Sequence, residues 1–345
     1  MSLAAPPGID PAAVTDWIEG LGLGAEPPLR IERVGAGGSN LTFRVLDRRG
    51  RRWALRRAPR GERLESAHDV AREHRILAAL AATAVPTPRP YALCRDPAVA
   101  AVPVLLMEWV DGLAVASERD ALELSAVARG ALGRSLAATL ARVHAVDLEA
   151  TGLADLSSHG PYAARQLRRW RRQWEATRRR PLPALDALGE RLAASMPEQR
   201  EVVLVHGDYH VLNVIADPGG GTVRALLDWE LGTLGDPLAD LGGLLAYWSE
   251  AGDRFGPGPF ALTELPGFPT RDELARAYGA ASGRDLSALP YWEALACWKI
   301  AIVFAGVLRR AEEEPGDAAP SRAWDEGVIE RLVARGTALA DRAGC

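Results

Sequence analysis

The chain has 345 residues, 48% of them hydrophobic and 25% charged, with a formal net charge of −4. That length suffices for two cores, the apolar share is that of a globular protein, and the slight acidity argues against a chain built as a whole to bind nucleic acid. Lys299 is the single lysine among 41 basic residues, and with the abundance of Ala, Gly and Pro this reads as a high-GC codon bias. Cys94, Cys297 and Cys345 are far apart and form no CxxC pair, so neither a disulfide framework nor a zinc knuckle is expected and a reducing compartment fits. The N-terminal MSLAAPPGIDP lacks the basic and apolar segments of a secretory signal, and the apolar run 300–308 is too short to span a bilayer. A cytoplasmic location is the expectation.

Residues 10–23 carry Val14, Trp17, Ile18 and Leu21 on one face, which predicts a short amphipathic helix. Three strands are predicted at 29–35, 41–46 and 52–57, joined by GAGGSN and DRRG. A helix over about 66–82, apolar at Val70, Ile76, Leu77 and Leu80, is ended by VPTPRP. The run VPVLLMEW at 102–109 predicts a buried strand, and VDG after it a hinge. Beyond Gly112 the pattern turns to long helices, at 121–146, 162–178, 184–195, 239–250, 270–282, 290–313 and 321–342. The expectation is an α+β fold, with a β-rich lobe over 1–110 and a larger helical lobe over 111–345.

The chemistry concentrates between Val205 and Leu241, VHGDYHVLN…LLDWE…GDPLADL. Asp208 is followed five positions later by Asn213, and then by Asp228. Each follows a β-type apolar segment, VVLV or VRALL, so the carboxylate, the amide and the second carboxylate are expected at the ends of neighbouring short strands. Phosphoryl transfer needs this set, one carboxylate for a hydroxyl and an amide plus a carboxylate for Mg²⁺. The competing reading is three turn or cap residues.

Upstream, Gly35, Gly37 and Gly38 lie in a loop between two predicted strands, where glycine lets backbone N–H groups approach phosphate. Asn40 opens a strand rather than a helix, which rejects a Rossmann fingerprint, and no lysine follows the glycines, which rejects a Walker A loop. A phosphate-covering hairpin with Ser39 as a contact and a plain hairpin turn both fit.

The motifs HGDYHVLN, DWE and GDPLADLG, in this order, resemble the aminoglycoside phosphotransferase-like kinases, relatives of the protein kinases that phosphorylate small molecules. The resemblance runs over roughly residues 30–310, most of the chain. It implies a bilobal protein-kinase-like fold, with Asp208 as catalytic base and Asn213 and Asp228 as Mg²⁺ ligands. It implies Gly37, Gly38 and Ser39 over the phosphates of ATP, and a third-strand cation paired with a helical glutamate. Here these are Arg56, where a lysine is usual, and Glu73. Arginine keeps the charge and adds a planar fork, but is bulkier. The strand ending in VDG matches the adenine hinge, with the Glu108 carbonyl and the Val110 N–H on the adenine edge and Met107 as an apolar wall.

Within the same motifs His206 reads as a brace for the loop. His210 stands where many protein kinases carry a lysine near the γ-phosphate, and fits either a phosphate contact or a loop role. Asp236 and Asp240 read as residues that cap or tie a helix start. His144 reads as a packed, hydrogen-bonded histidine. Eight positions from Asp228 to Asp236 leave no room for a long activation loop, which favours a small-molecule acceptor over a protein.

Residues 165–180 carry eight arginines with Leu167, Trp170 and Trp174 on one face. This is either an amphipathic helix with a solvated basic face or an anion-recognition surface. Clefts for polycationic aminoglycosides are usually acidic, whereas this segment is basic. It resembles the kinase domains fused to acyl-CoA dehydrogenases, whose implied acceptors are hydroxyacyl-CoA esters. The expectation is an ATP- and Mg²⁺-dependent O-phosphotransferase with a small-molecule acceptor, without nucleic-acid or membrane partners and with the oligomeric state open. The alternatives are a true antibiotic phosphotransferase, a non-catalytic kinase-like module, and a metallohydrolase built on His206, Asp208 and His210.

Overall fold

The computed structural model describes residues 8–34, 40–58, 69–158, 160–253, 261–313 and 326–345. The chain forms two compact units, Met1–Asp111 with Ala225–Gly232, and Gly112–Arg224 with Thr233–Cys345. Their composition follows the expected α+β plan, a small antiparallel sheet unit and a larger helical one.

The first unit opens with α1 (Pro11–Gly20), started by the Asp10 carboxylate accepting from the backbone of Ala12 and Ala13. Then come β1 (Arg30–Val34), β2 (Leu41–Leu46), β3 (Arg52–Arg57), α2 (Val70–Leu80), β4 (Pro90–Cys94) and β5 (Val104–Glu108). The strands form one antiparallel sheet in the order β1-β2-β3-β5-β4. Register sets Phe43, Leu55 and Leu106 in one row, and these residues join Val14 and Ile18 of α1 in a core. Side chains alternate along a strand, so Arg56 points to the opposite face from Leu55.

β4 escaped the sequence reading. It lies at the sheet edge and takes Pro90 as its first residue, both places where a strand tolerates proline, and the proline-rich VPTPRP that ends on Pro90 hid it. The helix read from 66 begins at Val70, where Asp69 accepts from Ala71 and Arg72 N–H; residues 66–68 lie outside the described residues. Ala225–Gly232, expected with the helical lobe, clusters with the sheet unit. Leu226 N–H donates to Pro86 O at 2.7 Å, and Arg72 Nε to Gly232 O at 2.7 Å.

The remaining elements are β6 (Leu113–Ala114), α3 (Glu118–Leu122), α4 (Ala126–His144), α5 (Tyr162–Thr177), α6 (Pro183–Ala194), β7 (Val203–Val205), β8 (Val214–Ala216), β9 (Val223–Leu226), β10 (Thr233–Gly235), α7 (Pro237–Tyr247), α8 (Arg271–Ser282), α9 (Leu289–Glu313) and α10 (Glu326–Ala343), all in the second unit except the last two residues of β9. The single helix expected over 121–146 is two, because Ser125 caps α4 by accepting from Ala128 N–H. Gly112 is required by close approach. A Cβ there would lie 2.4 Å from Ile215 Cγ2 and 2.6 Å from Ala216 O.

The expectation that Asp208 and Asp228 follow neighbouring strands is corrected. β7 pairs with β10, while β9 lies in a separate sheet of order β6-β8-β9. Asn213 ends a 3-10 turn, Val211–Asn213, that leads into β8.

α9 is the core helix of this unit. Its stretch Leu289–Arg309 is the one helix among the described residues long and apolar enough to cross a membrane, and 72% of that window is buried inside the protein. Tyr291 Oη donates to Leu192 O and Trp298 Nε1 to Leu185 O, tying it to α6.

Candidate active site

The candidate residues fall into two groups, one in each unit. In the sheet unit, the period of β3 turns Arg56 toward the face that carries α2, where Glu73 lies in the first turn. Arg56 Nη2 donates to Asp228 Oδ1 at 2.5 Å, its Nε stands 3.1 Å from Glu73 Oε2, and Glu230 Oε2 is 3.7 Å away. The side chain is 7% exposed, so one buried guanidinium faces three carboxylates. The Glu73 contact is an ion pair without hydrogen-bond alignment, and Glu73 is held instead by the Trp229 backbone N–H. Burial works against the charge on Arg56, but Glu73, Asp228 and Glu230 outweigh it and hold it firmly protonated. Burial pushes the Glu73 carboxyl up, against the pull of Arg56.

Asp228 has φ 65° and ψ 63°, the left-handed region, and it is the one non-glycine residue among those described with positive φ. That conformation costs on the order of 1 kcal/mol for a residue with a Cβ and must be held by its surroundings. The ion pair to Arg56 supplies part of that hold.

At the end of β5, Met107 is buried and Glu108 exposed, and Val110, two residues beyond the strand, is half-buried. Glu108 N–H donates to Arg89 O at 2.8 Å, and its carboxylate accepts from Arg89 N–H at 3.1 Å. Gly37, Gly38 and Ser39, expected over the phosphates, lie outside the described residues.

In the helical unit the loop after β7 is pinned from below by Asp240 of α7. His206 N–H donates to its Oδ2 at 2.6 Å and Gly207 N–H to its Oδ1 at 2.8 Å. Asp240 therefore ties the loop, while its neighbour Asp236 caps α7 by accepting from Leu238 N–H. Gly207 adopts φ 81°, which a side chain there would resist. His206 is fully buried, and its Nδ1 accepts from Asp208 N–H at 3.3 Å, so it braces the loop. His144, behind Asp240, is buried with Nδ1 2.8 Å from Tyr278 Oη.

These ties present the Asp208 carboxylate, 30% exposed. His210 Nε2 lies 3.2 Å from Asp208 Oδ2, and the His210 ring packs edge-on against Tyr247 at 4.7 Å. Asn213 Nδ2 donates to Asp208 O at 2.9 Å and lies 3.2 Å from Oδ2, which leaves its amide oxygen facing away from Asp208. Burial opposes the charge on Asp208, but His210, Lys299 and His206 outweigh it and hold the carboxyl well below its ordinary range. Asp208 is ionised at neutral pH. The Asn213 amide oxygen, in the helical unit, and the second Asp228 carboxylate oxygen, in the sheet unit, are each hard donors. Among the described residues no group of three or more His, Cys, Asp or Glu could hold a metal.

Sequence reasoning noted Lys299 only as the lone lysine. Its Nζ donates to Gly207 O at 2.8 Å and sits 5.5 Å from the centre of the Trp170 ring. A lysine persisting where every other basic residue is arginine was the available signal. On α5 the apolar stripe is as expected at Leu167 and Trp174, both buried, while Arg168, Arg169, Arg171 and Arg172 face solvent.

Residues 30–297 match the phosphotransferase enzyme family. The chain belongs to that family. Its relatives include mouse (Mus musculus) acyl-CoA dehydrogenase family member 10, 33% identical over 93% of this chain and 30% of the relative. The chain thus spans about a third of the length of that curated relative. A presumed aminoglycoside phosphotransferase from Ralstonia eutropha has a similar structure, with a TM-score of 0.78 and 27% identity over 97% of this chain and 98% of that one. Aminoglycoside phosphotransferase APH(4)-Ia, solved with AMP-PNP and hygromycin B, shares the fold at a TM-score of 0.59 and 17% identity, over 93% of this chain and 98% of that one.

Proposed function

We propose that this phosphotransferase moves the γ-phosphate of ATP, with Mg²⁺, to a hydroxyl of a small molecule. The observation that carries the reading is the Asp208 loop: an ionised, partly exposed carboxylate fixed by Asp240 beneath it and flanked by Asn213. Asp208 orients the acceptor hydroxyl and accepts its proton as the oxygen attacks phosphorus. His210 holds the carboxylate in place through Oδ2. Arg56 offsets the negative charge of the nucleotide phosphates, with Glu73 orienting it, and Glu108, Val110 and Met107 receive the adenine. Gly37, Gly38 and Ser39 cover the phosphates. Asn213 and Asp228 are the residues that would hold Mg²⁺, which when bound neutralises phosphate charge.

The acceptor we propose is an anionic metabolite, with a hydroxyacyl-CoA as the first case. Two observations support this class over a polycationic antibiotic. The exposed face of α5 is arginine-rich, and the relatives are acyl-CoA dehydrogenase family members. An intracellular, ATP-supplied compartment fits the same reading.

The test is Asp208→Asn with nucleotide binding and turnover measured together. Turnover should fall by about three orders of magnitude or more while ATP still raises the melting temperature. Asn213→Ala should weaken nucleotide binding in Mg²⁺ and leave it unchanged in EDTA. Wild-type turnover in Asp208→Asn removes the base assignment.

A further inference from the structure

We propose that Lys299 selects the acceptor, by pairing its ammonium with an oxyanion or carbonyl oxygen on a hydroxy compound whose remaining body is apolar; the inference rests on the phosphotransferase reading above. The pocket beside Asp208 lies wholly within the helical unit. Its walls are apolar and aromatic, with Trp170 from α5, Tyr247 from α7, and Trp292 and Leu295 from α9. Three charged side chains line it, Asp208, Asp240 and Lys299. Asp240 spends both oxygens on the His206 and Gly207 N–H groups, so it has little left to offer a ligand. Asp208 is committed to the hydroxyl. Lys299 is then the cation a ligand meets.

An ammonium has three N–H donors, and Lys299 uses one on Gly207 O at 2.8 Å. The Trp170 ring holds the head from the side at 5.5 Å. The head is thus fixed at both the loop and the aromatic wall, with donor capacity to spare. Burial weakens its hold on the charge, against the pull of Asp208 and Asp240. A partly desolvated cation gains from an anionic or strongly polar oxygen and repels an ammonium. Position also speaks for function. The other 40 basic residues are arginine, yet this pocket carries the compact lysine head, which leaves room for a ligand that a guanidinium would crowd.

The test uses the full chain and three probes of equal length that differ at one end: ω-hydroxyhexanoate, ω-hydroxyhexanamide and ω-aminohexanol. Transfer from ATP should favour the carboxylate over the amide and the amide over the amine, by about tenfold at each step. Lys299→Met should abolish that order by raising KM for the carboxylate while KM for ATP stays put, and Lys299→Arg should restore part of it. A wild type that phosphorylates aminohexanol as well as hydroxyhexanoate overturns the proposal, and so does a Lys299→Met variant that keeps the order. A second measurement needs no variant. Lys299 carries the one ε-amine in the chain, so acylation by an amine-directed reagent can be read there by mass spectrometry. Hydroxyhexanoate should slow that labelling about threefold or more, and hexan-1-ol, which carries neither an anionic end nor a competing amine, should not. Equal labelling with and without hydroxyhexanoate overturns the proposal. Stabilisation by Mg-ATP is recorded on the same samples. A protein that binds Mg-ATP but shows neither the order nor the protection loses only the Lys299 assignment, whereas one that fails to bind Mg-ATP loses the phosphotransferase reading itself.

Discussion

Asp240→Asn isolates the support beneath the Asp208 loop. In the native protein two carboxylate oxygens accept two buried backbone N–H groups, from His206 at 2.6 Å and Gly207 at 2.8 Å. An amide keeps one oxygen and turns an NH₂ toward the other N–H, donor against donor. One charge-assisted bond of roughly 1.5–3 kcal/mol is lost, and an N–H is left unpaired at a further ~1–3 kcal/mol. His144 Nε2, 3.5 Å from Oδ2, can accept from the new NH₂ and recover part of this. The expected loss is about 3 kcal/mol, a fall in melting temperature of roughly 6–12 °C for a unit of this size.

The pH dependence gives a second check. Burial works against the Asp240 charge, but His144, His206 and the Gly207 N–H outweigh it and hold the pKa below its ordinary 3.8. A depressed carboxyl stabilises above its unfolded pKa and loses that contribution as pH falls through the folded value. The gap between wild type and Asp240→Asn should therefore be flat at neutral pH and close below about pH 4. Because the loop carries Asp208, kcat should also fall, by about a hundredfold for a displacement near 1 Å. The assays are thermal unfolding across pH and steady-state turnover. A loss under about 1 kcal/mol at pH 7, well short of an unpaired buried N–H, would refute the reasoning.

Arg56→Ala strands Glu73 and Asp228 around an empty position, so it should destabilise the sheet unit by roughly 3–5 kcal/mol and abolish turnover, whereas Arg56→Lys should retain partial activity. Denaturant unfolding and kinetics check this, and equal full activity in both variants would show that Arg56 is not a phosphate ligand. Replacing Arg168, Arg169, Arg171 and Arg172 with Gln should raise KM for a phosphate-bearing acceptor several-fold without changing KM for ATP, with the effect fading at high salt. Efficient phosphorylation of kanamycin-like polycations, unaffected by those changes, would return the antibiotic reading.

Much of the chemistry was legible because it is local. Asp208 and Asn213 share one loop, and five residues of spacing suffice to bring the amide onto the Asp208 carboxylate. Arg56 and Glu73 were reached through the family resemblance, and the alternation along β3 and the start of α2 give the physical reason that they meet. β4 was hidden because an edge strand that begins with proline carries little periodicity of its own. The break at Ser125 was hidden because apolar positions continue on both sides of it, and the capping hydrogen bond alone marks the boundary.

By itself the sequence indicated the fold class, most of the long helices and strands and the residue types of the candidate site, since hydrophobic period and motif spacing are properties of neighbours along the chain. Tertiary structure decided what depends on residues far apart in sequence. It moved Ala225–Gly232 into the sheet unit, where the Asp228 carboxylate meets Arg56 across 172 positions. It gave Asp240, read from the sequence as a residue that caps or ties a helix start, its particular partners, the N–H groups of His206 and Gly207, 33 or more positions away. And it carried the only lysine across 92 positions to the Gly207 carbonyl, because a buried ammonium must find an oxygen and the fold of α9 offers it that one.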